Sequence, residues 1–156
     1  MQRGKREAPR NEEERALGRL LVELQVLRGN ANALQSRINL INAALGELEI
    51  ANRSLEGLKG IEKGRILLFP IGGGSYVKAR LEDAEKVIVG IGANVATEKT
   101  FDKAQESIGS QMSEIQRSKV ALQQQLNQVI GRINEIENKI NEIVRSRRAR
   151  SVVRKS

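Results

Sequence analysis

The sequence has no cysteine, no histidine and no tryptophan, and its three aromatic residues are Phe69, Tyr76 and Phe101. Without cysteine the chain has no disulfide, no thiol nucleophile and no thiolate metal ligand. Without histidine it lacks imidazole ligands and the commonest general base. Catalysis by a Ser-His-Asp or Cys-His arrangement is therefore excluded within this chain. The shortage of aromatics argues against a conventional globular core, because aromatic side chains supply much of the area that such a core buries.

Long apolar runs are also lacking. The first ten residues, MQRGKREAPR, are charged, and no apolar stretch follows them to complete a signal peptide. No apolar run approaches the roughly 18 residues that span a bilayer. These absences predict a cytoplasmic, non-enzymatic protein that is elongated or oligomeric, with no membrane partner, no metal and no cofactor.

The positive charge is concentrated at the two ends of the sequence. Lysine and arginine outnumber the acidic residues by 27 to 19, a net charge of +8. Residues 1–10 carry +3 and residues 145–156 carry +6, whereas the residues between them hold 17 basic and 18 acidic groups. The C-terminal group consists of Arg145, Arg147, Arg148, Arg150, Arg154 and Lys155. A nucleic-acid-binding domain would carry a basic face on its ordered surface, so nucleic acid is an unlikely main partner.

Residues 11–58 show the heptad pattern of a long amphipathic helix. With Leu17 at position a, eleven of the twelve a and d positions over six heptads are apolar. Asn11 predicts the N-cap, and Gly57 with Gly60 predicts the end of the helix.

Residues 100–146 repeat the heptad pattern. One series of apolar residues runs at a strict spacing of seven from Phe101 to Ile143, and its companion series is patchy at first and apolar in its second half. Thr100 is the predicted N-cap. The two helices are nearly equal in length, which favours an antiparallel hairpin over a parallel homodimer formed through each helix separately.

The segment between the helices, residues 59–99, loses the heptad and shows β-branched runs between glycine clusters. We predict two β-hairpins, with strands at residues 65–69, 75–81, 86–91 and 95–98. The glycine clusters lack the Gly-Lys-Ser/Thr ending of a phosphate loop and the full dinucleotide-binding fingerprint, so both are predicted to be turns. Isolated hairpins are marginally stable and have open edges. We therefore expect them to join an oligomer through a shared sheet or barrel.

Apolar side chains also occur outside the predicted seam in the part of the coil near the chain ends. They are Leu21, Val22, Val26, Ile130 and Val144. A two-helix coil buries one stripe on each helix, so these side chains are expected to be partly exposed. They indicate either a widened seam or an adaptable surface for apolar segments of partners. The helix carboxylates, Glu47 and Glu137 among them, are expected to form a solvated surface and not a catalytic pair.

The central stretch ILLFPIGGGSYVKARLEDAEKVIVGIGANVATEKTFDKA, residues 66–104, contains the most specific motifs. The most telling are Pro70, the Gly-Ser-Tyr-Val-Lys run at 74–78, and Val-Gly-Ile-Gly followed by Glu98-Lys99. This stretch resembles the α class of the prefoldin family, of an archaeal type. The flanking helices match that family by architecture, so the resemblance covers about residues 12–146.

The resemblance implies a fold of class α+β, in which a long antiparallel two-helix coiled coil carries two central hairpins that join an oligomeric β-barrel platform. It implies a heterohexamer of two α and four prefoldin β-class subunits. It further implies an ATP-independent chaperone that captures non-native client proteins at the coil tips and passes them to a group II chaperonin. The basic tails depart from the common pattern of the family.

On this interpretation two groups of residues carry the function. The client-binding residues at the tips are predicted to be Leu17, Leu20, Leu21, Val22, Leu24, Ile136, Ile140, Ile143 and Val144. The platform residues are predicted to be Ile66, Leu67, Leu68, Phe69, Val77, Val87, Ile88, Val89 and Ile91. No catalytic, cofactor-binding or metal-binding residue is predicted.

The predicted organisation is a basic tail at residues 1–10, a prefoldin α-like domain at 11–146 and a second basic tail at 147–156. Within the domain, a helix at 11–58, the hairpins at 59–99 and a helix at 100–146 follow one another. Two alternatives stay open. One is a structural coiled-coil scaffold that only tethers partners, and the other is nucleic-acid binding through the C-terminal tail.

Overall fold

The computed structural model describes residues 8–153. The elements in chain order are helix α1 (Ala8–Leu58), strands β1 (Ile66–Gly72), β2 (Ser75–Arg80), β3 (Lys86–Gly92) and β4 (Val95–Thr100), and helix α2 (Phe101–Val153). They confirm the predicted α+β arrangement of two long helices with two hairpins between them. The chain divides into two compact units. We call the residues up to Leu40 and from Lys119 onward the coil unit, and Ile41–Ser118 the hairpin unit.

Helix α1 begins earlier than predicted. It starts at Ala8 and has Pro9 in its first turn, where the missing N–H and fixed φ of proline fit a helix. Asn11 therefore lies inside the helix, and its predicted role as the N-cap is wrong. At the other end α1 stops at Leu58, and Gly60 takes a φ of +83°. This left-handed conformation is typical of a glycine that follows a helix, so Gly60 provides the predicted stop.

Helix α2 begins as predicted and ends later. The Thr100 hydroxyl accepts a hydrogen bond from the Lys103 backbone N–H at 3.4 Å, which confirms it as the N-cap. The helix continues to Val153, so residues 147–153 are helical and the predicted tail begins inside the helix. Arginine has a high helix propensity, and Arg150 is also held by an ion pair with Glu13. Arg154, Lys155 and residues 1–7 lie outside the described residues.

Each hairpin is a separate two-stranded antiparallel sheet, one formed by β1 and β2 and the other by β3 and β4. Both turns have positive φ at their two central residues, +57° and +74° at Gly73 and Gly74 and +49° and +59° at Ala93 and Asn94. Positive φ at both central positions matches the right-handed twist of the paired strands. The predicted turns are therefore confirmed.

The heptad seam of the coil unit is buried. Leu24, Ile38, Leu126 and Ile136 are each less than a tenth exposed, and Ile136 is completely buried. These four residues belong to the predicted a and d series of the two helices. Burial of one apolar stripe on each helix is the main source of stability in such a coil.

Two ion pairs beside the seam show the relative direction of the helices within the coil unit. Arg132 pairs with Glu23 at 2.9 Å, and Arg28 pairs with Glu137 at 2.7 Å. Counted along the heptads, Glu23 and Arg132 both occupy position g. Arg28 and Glu137 both occupy position e. Like positions meet across a seam when the helices are antiparallel, whereas parallel helices pair g with e. The predicted antiparallel hairpin is thus confirmed over a parallel arrangement.

The hairpin unit has a small core of its own. Its buried residues are Leu55, Phe101, Ala104 and Ile108. The partly buried residues Leu48, Ala51, Leu58, Val87, Val89 and Met112 pack against them. One face of β3 therefore covers the helix segments of this unit. Ile88, on the other face of β3, is 76% exposed. Within the single chain this second face of β3 is therefore open to solvent.

Candidate interaction surfaces

The end of the coil unit at which Glu13 meets Arg150 is called the tip. Arg150 Nη2 lies 2.6 Å from Glu13 Oε1, and Arg147 approaches Glu13 at 3.9 Å and Glu14 at 4.0 Å. Glu13 and Arg150 stand at position d and Arg147 at position a, so the heptad seam continues here with charged residues. The last apolar residues of the seam therefore lie just inside a cluster of ion pairs.

The basic residues of α2 differ in their partners. Arg147 and Arg150 are engaged with α1 through these ion pairs. Arg145 and Arg148 are exposed and make no ion pair within residues 8–153. The positive charge of the helical part of the predicted tail is thus partly neutralised and partly presented to solvent.

The nine predicted client-binding residues all lie in the coil unit, but their exposure differs. Leu24 and Ile136 are buried in the seam. A further set is partly buried: Leu17, Leu20, Ile140, Ile143 and Val144. Leu21 and Val22 are 49% and 63% exposed. These two are therefore the accessible members of the set while the coil is closed, whereas contact with Leu24 or Ile136 requires the coil to open.

Other exposed apolar residues on the helices were not among the predicted site residues. Val26 and Ile130 are 57% and 42% exposed, and Leu40, Ile50 and Val120 reach 72%, 66% and 49%. The signal for the last three was present in the sequence, because each stands at a b, c or f position that faces away from the seam. The off-seam apolar pattern near the chain ends thus continues further along both helices.

The hairpins expose a large apolar surface. Among the predicted platform residues, the exposed ones are Ile66, Leu68, Phe69, Val77, Ile88 and Ile91. Leu67, Val87 and Val89 are partly buried, and the two valines pack on the core of the hairpin unit. Ile71, Tyr76 and Val95 are exposed as well and were not predicted. Exposed apolar side chains concentrated on two short hairpins in this way are typical of a protein–protein contact.

The backbone of the hairpins points to the same conclusion. Each described strand is paired on one side, because each sheet contains two strands. The other side of each strand presents unpaired N–H and C=O groups, which can pair with a strand of another chain. The apolar faces and the open edges together make the hairpins a candidate assembly surface.

The link between the two hairpins is fixed by Asp83. Its Oδ1 accepts hydrogen bonds from the backbone N–H groups of Glu85 and Lys86 at 2.8 and 3.1 Å. These bonds favour the ionised carboxylate, and they lower the pKa of Asp83 below 3.8. The positive charges of Lys86 and Lys63 act in the same direction. Asp83 therefore has a structural role at the start of β3.

The helix carboxylates have structural partners as well. Seven of them form ion pairs within residues 8–153, namely Glu13, Glu14, Glu23, Glu49, Asp102, Glu135 and Glu137. The hydrogen bonds that Arg132 donates to Glu23 and Glu135 raise the pKa of Arg132 further above its ordinary value, so this arginine stays charged throughout the physiological range. Within residues 8–153 no group of three or more acidic side chains is placed to hold a metal ion. Neither helix has, over the same residues, a stretch long and apolar enough to cross a membrane.

An antiparallel coil that carries two apolar hairpins with open edges defines a subunit of a coiled-coil assembly, and comparisons with known proteins agree with this class. The family model described as "Prefoldin: Prefoldin subunit" matches residues 27–146. The chain belongs to the prefoldin family.

Several relatives carry the name prefoldin subunit alpha. The one from Methanopyrus kandleri is 38% identical over 119 residues, which cover 75% of this chain and 76% of the relative. The one from Thermofilum pendens is 34% identical and covers 78% of this chain and 95% of its own length. The one from Pyrococcus horikoshii is 32% identical, with 81% and 86% covered. The resemblance to the α class inferred from the central motifs is confirmed.

A solved structure shows the same fold. The chain resembles one in a cryo-EM structure of filamentous prefoldin from Methanocaldococcus jannaschii, with a TM-score of 0.64 and 21% identity. The match covers 74% of this chain and 96% of the other.

Proposed function

We propose that this chain is the α-class subunit of a cytoplasmic, ATP-independent chaperone of the prefoldin type. The hairpins join those of β-class prefoldin subunits in a heterohexamer of two α and four β chains. The coil tips capture non-native proteins, and the complex delivers them to a group II chaperonin. The observation that carries the proposal is the exposed apolar surface of the hairpins, which a stable single chain would not present to water.

The proposed platform follows from the physical chemistry of the hairpins. Two isolated two-stranded sheets are marginally stable in water, and here their outer faces leave Leu68 61% and Ile88 76% exposed. Each side chain of this size gains about 1.5–3 kcal/mol when it is fully buried. Pairing of the open strand edges with other chains satisfies the backbone groups at the same time. Assembly therefore stabilises both the side chains and the backbone.

The proposed client surface lies at the tip of the coil unit. Leu21 and Val144 both occupy position e, on the same flank of the seam as the Arg28–Glu137 ion pair. Val22 is the next residue outward on α1 and is 63% exposed. An apolar surface of this size binds one exposed client segment weakly, and several coils acting on one client give the necessary strength through avidity. Broad client choice follows from the lack of specific polar contacts.

The assembly is tested by measuring the native mass of the chain alone and after mixing with a β-class prefoldin subunit. We expect a defined heterohexamer in the mixture and no such species with the chain alone. If the mixture contains only unassociated chains, the proposed platform is wrong.

The client surface is tested by point variants within the assembled complex. The double substitution Leu21→Ser and Val22→Ser removes the two exposed apolar residues at the tip, and we expect it to weaken the suppression of client aggregation. The matched control is Ile50→Ser, which removes an exposed apolar residue of α1 in the hairpin unit. Equal loss in both complexes would argue against a specific surface at the tip.

Two alternatives predict different results. A structural scaffold binds defined partners and does not protect denatured proteins, so it is recognised by the absence of any protection. Nucleic-acid binding through residues 145–156 predicts binding that weakens steeply as salt is raised and that is lost when these residues are removed. The ion pairs of Arg147 and Arg150 with Glu13 leave less free positive charge for a nucleic acid.

A further inference from the structure

Helix α1 carries a second heptad stripe on the side that faces solvent. The stripe consists of Val22, Val26, Gly29, Ala33, Ser36 and Leu40, at alternating spacings of four and three. All six residues are exposed, and Val22, Val26 and Leu40 are 63%, 57% and 72% exposed. We call this set the outer stripe. It lies entirely within the coil unit.

The outer stripe has the composition of a helix contact. Between residues 20 and 40 the charged residues of α1 are Glu23, Arg28 and Arg37, and none of them belongs to the stripe. A solvent-facing helix surface normally carries charged and polar residues over such a length. An alternation of apolar residues at spacings of three and four is the pattern with which one helix packs against another in a coiled coil.

The outer stripe is complementary to itself in the antiparallel direction. When two copies of α1 pair so that opposite residue numbers add up to 62, Val22 lies opposite Leu40, and Val26 lies opposite Ser36. Gly29 then lies opposite Ala33, so the smallest residues meet at the centre. No atom lies within 4 Å of the position that a Cβ on Gly29 would occupy. The two helix backbones can therefore approach closely there, while the larger residues interlock toward both ends.

Charge complementarity supports the same register. Glu23 and Arg37 flank the outer stripe on one side. In the antiparallel pairing Glu23 of one copy lies two residues, about 3 Å of helix, from the position opposite Arg37 of the other copy, within reach of its long side chain, twice by symmetry. Both hydrogen bonds from Arg132 reach Oε1 of Glu23, so Oε2 is available to a second arginine. Within residues 8–153 Arg37 makes no ion pair. In a parallel two-fold pairing Glu23 would lie opposite Glu23 of the other copy and Arg37 opposite Arg37, so like charges would face each other.

We propose that the outer stripe is a docking surface for the α1 helix of a second copy of this chain, in an antiparallel and two-fold symmetric contact. The contact covers residues 22–40, about 28 Å of helix at 1.5 Å per residue. One pair of helices of this length forms an interface at the small end of the range, so the contact is weak and depends on concentration. It associates coils of separate molecules, and it covers Val22, so it competes with any ligand of that residue. The proposal does not depend on the proposed chaperone function or on the hairpin platform.

The absence of native cysteine makes the register directly testable in the full-length chain. Asn32 is exposed and lies beside the two-fold axis, so Asn32→Cys is expected to form a disulfide-linked dimer under mild oxidation. On a non-reducing gel, oxidised Val22→Cys alone and oxidised Leu40→Cys alone are each expected to run as monomers. The two variants are expected to form a disulfide-linked dimer when they are mixed before oxidation. The matched control is Asn134→Cys, an exposed asparagine of α2 in the coil unit, which is expected not to cross-link.

Several outcomes overturn the proposal. Efficient cross-linking of Val22→Cys to itself would indicate a parallel contact. Equal cross-linking at Asn134→Cys would indicate that the coils are merely brought close by association of the hairpins. If Asn32→Cys cross-links in a mixture only to a β-class subunit, or to a client protein, the occupant is not a second copy of this chain.

A second measurement keeps the proposal testable without cysteine. Arg37→Glu places like charges opposite each other at both ends of the contact, and we expect the dimer dissociation constant from sedimentation equilibrium to rise about tenfold. Val120→Glu adds the same charge at an exposed apolar residue of α2 and is expected to leave the dissociation constant unchanged. An unchanged constant for Arg37→Glu, or an equal rise for both variants, would overturn the proposed contact.

Discussion

Glu13 and Arg150 form a 2.6 Å ion pair across the tip of the coil unit, and both occupy heptad position d. Further along the seam the equivalent positions hold apolar residues such as Ile136 and Ile143. The coil is thus extended beyond its apolar seam by charge pairing. Such a pair is exposed to solvent and weakened by salt, so the tip is the part of the coil unit that we expect to open most readily.

The first prediction concerns this ion pair. Glu13→Ala removes the partner of Arg150 and one of the two partners of Arg147, and we expect it to destabilise the tip by about 0.5–1 kcal/mol. Amide hydrogen exchange should become faster at the two helix ends near the tip and stay unchanged around Ile136. The control is Glu12→Ala, which removes an exposed glutamate that makes no ion pair within residues 8–153. Equal acceleration in both variants would show that helix charge and not the ion pair holds the tip.

The second prediction concerns the seam. Ile136 is completely buried, so Ile136→Ala should lower the free energy of unfolding by about 2–5 kcal/mol, because it removes buried methylene and methyl groups and leaves a cavity. Chemical denaturation followed by circular dichroism measures the change. Ile130→Ala, at a residue that is 42% exposed, should cost markedly less. Similar losses would contradict the assignment of Ile136 to the seam and of Ile130 to its flank.

The third prediction concerns the hairpin turns. Ala93 has a φ of +49°, a conformation that costs a residue with a Cβ about 1 kcal/mol relative to glycine. Ala93→Gly is therefore expected to stabilise the second hairpin by up to about 1 kcal/mol. Gly73 has a φ of +57° in the first hairpin, so Gly73→Ala should have the opposite effect. Thermal unfolding compares the two variants, and a destabilising Ala93→Gly would mean that the turn has another conformation.

The fourth prediction concerns pH. The backbone hydrogen bonds from Glu85 and Lys86 lower the pKa of Asp83 below 3.8, so the folded state favours the ionised carboxylate. Its contribution to stability is fully present above the unfolded-state pKa and is lost as the pH falls through the lower, folded-state pKa.

The pH effect is measured by NMR titration of the Asp83 carboxyl carbon, together with the amide signals of Glu85 and Lys86. We expect all three to titrate together, with a midpoint below the ordinary pKa of an aspartate. In Asp83→Asn the two amide signals should lose this titration. A carboxyl that titrates at or above the ordinary value would show that the two hydrogen bonds do not form in solution.

Much of this fold could be predicted from the sequence because its signals are periodic. The strict heptads identified both helices, and the glycine clusters located both turns, since these depend on local backbone and side-chain chemistry. The helix ends were less predictable. Asn11 resembled an N-cap, yet Pro9 starts the helix equally well. The run of arginines after residue 146 predicts a tail, because the sequence alone does not show that Arg150 forms an ion pair with Glu13.

The exposure of the candidate site residues could be predicted only in part. Heptad position separates buried residues such as Leu24 from exposed residues such as Val22, and this separation agrees with the structure. Residues on the flanks, such as Val144, are partly buried because they lean toward the partner helix. On the hairpins, Val87 and Val89 pack on helix residues of the same unit, and this depends on which face of β3 meets the helices. Alternation along a strand does not specify that choice.

The proposed function requires that the coil tips of the assembled complex shield non-native proteins. The most direct measurement is light scattering from a denatured client protein in the presence of the assembled complex. One complex contains a β-class subunit and this chain with all 156 residues. The other contains the same β-class subunit and this chain without residues 1–22 and 138–156. The native mass of each complex is measured first, to establish that both are hexameric. We expect the complex with the complete chain to suppress scattering and the truncated complex not to suppress it. Equal suppression by the two complexes would contradict the proposed role of the coil tips.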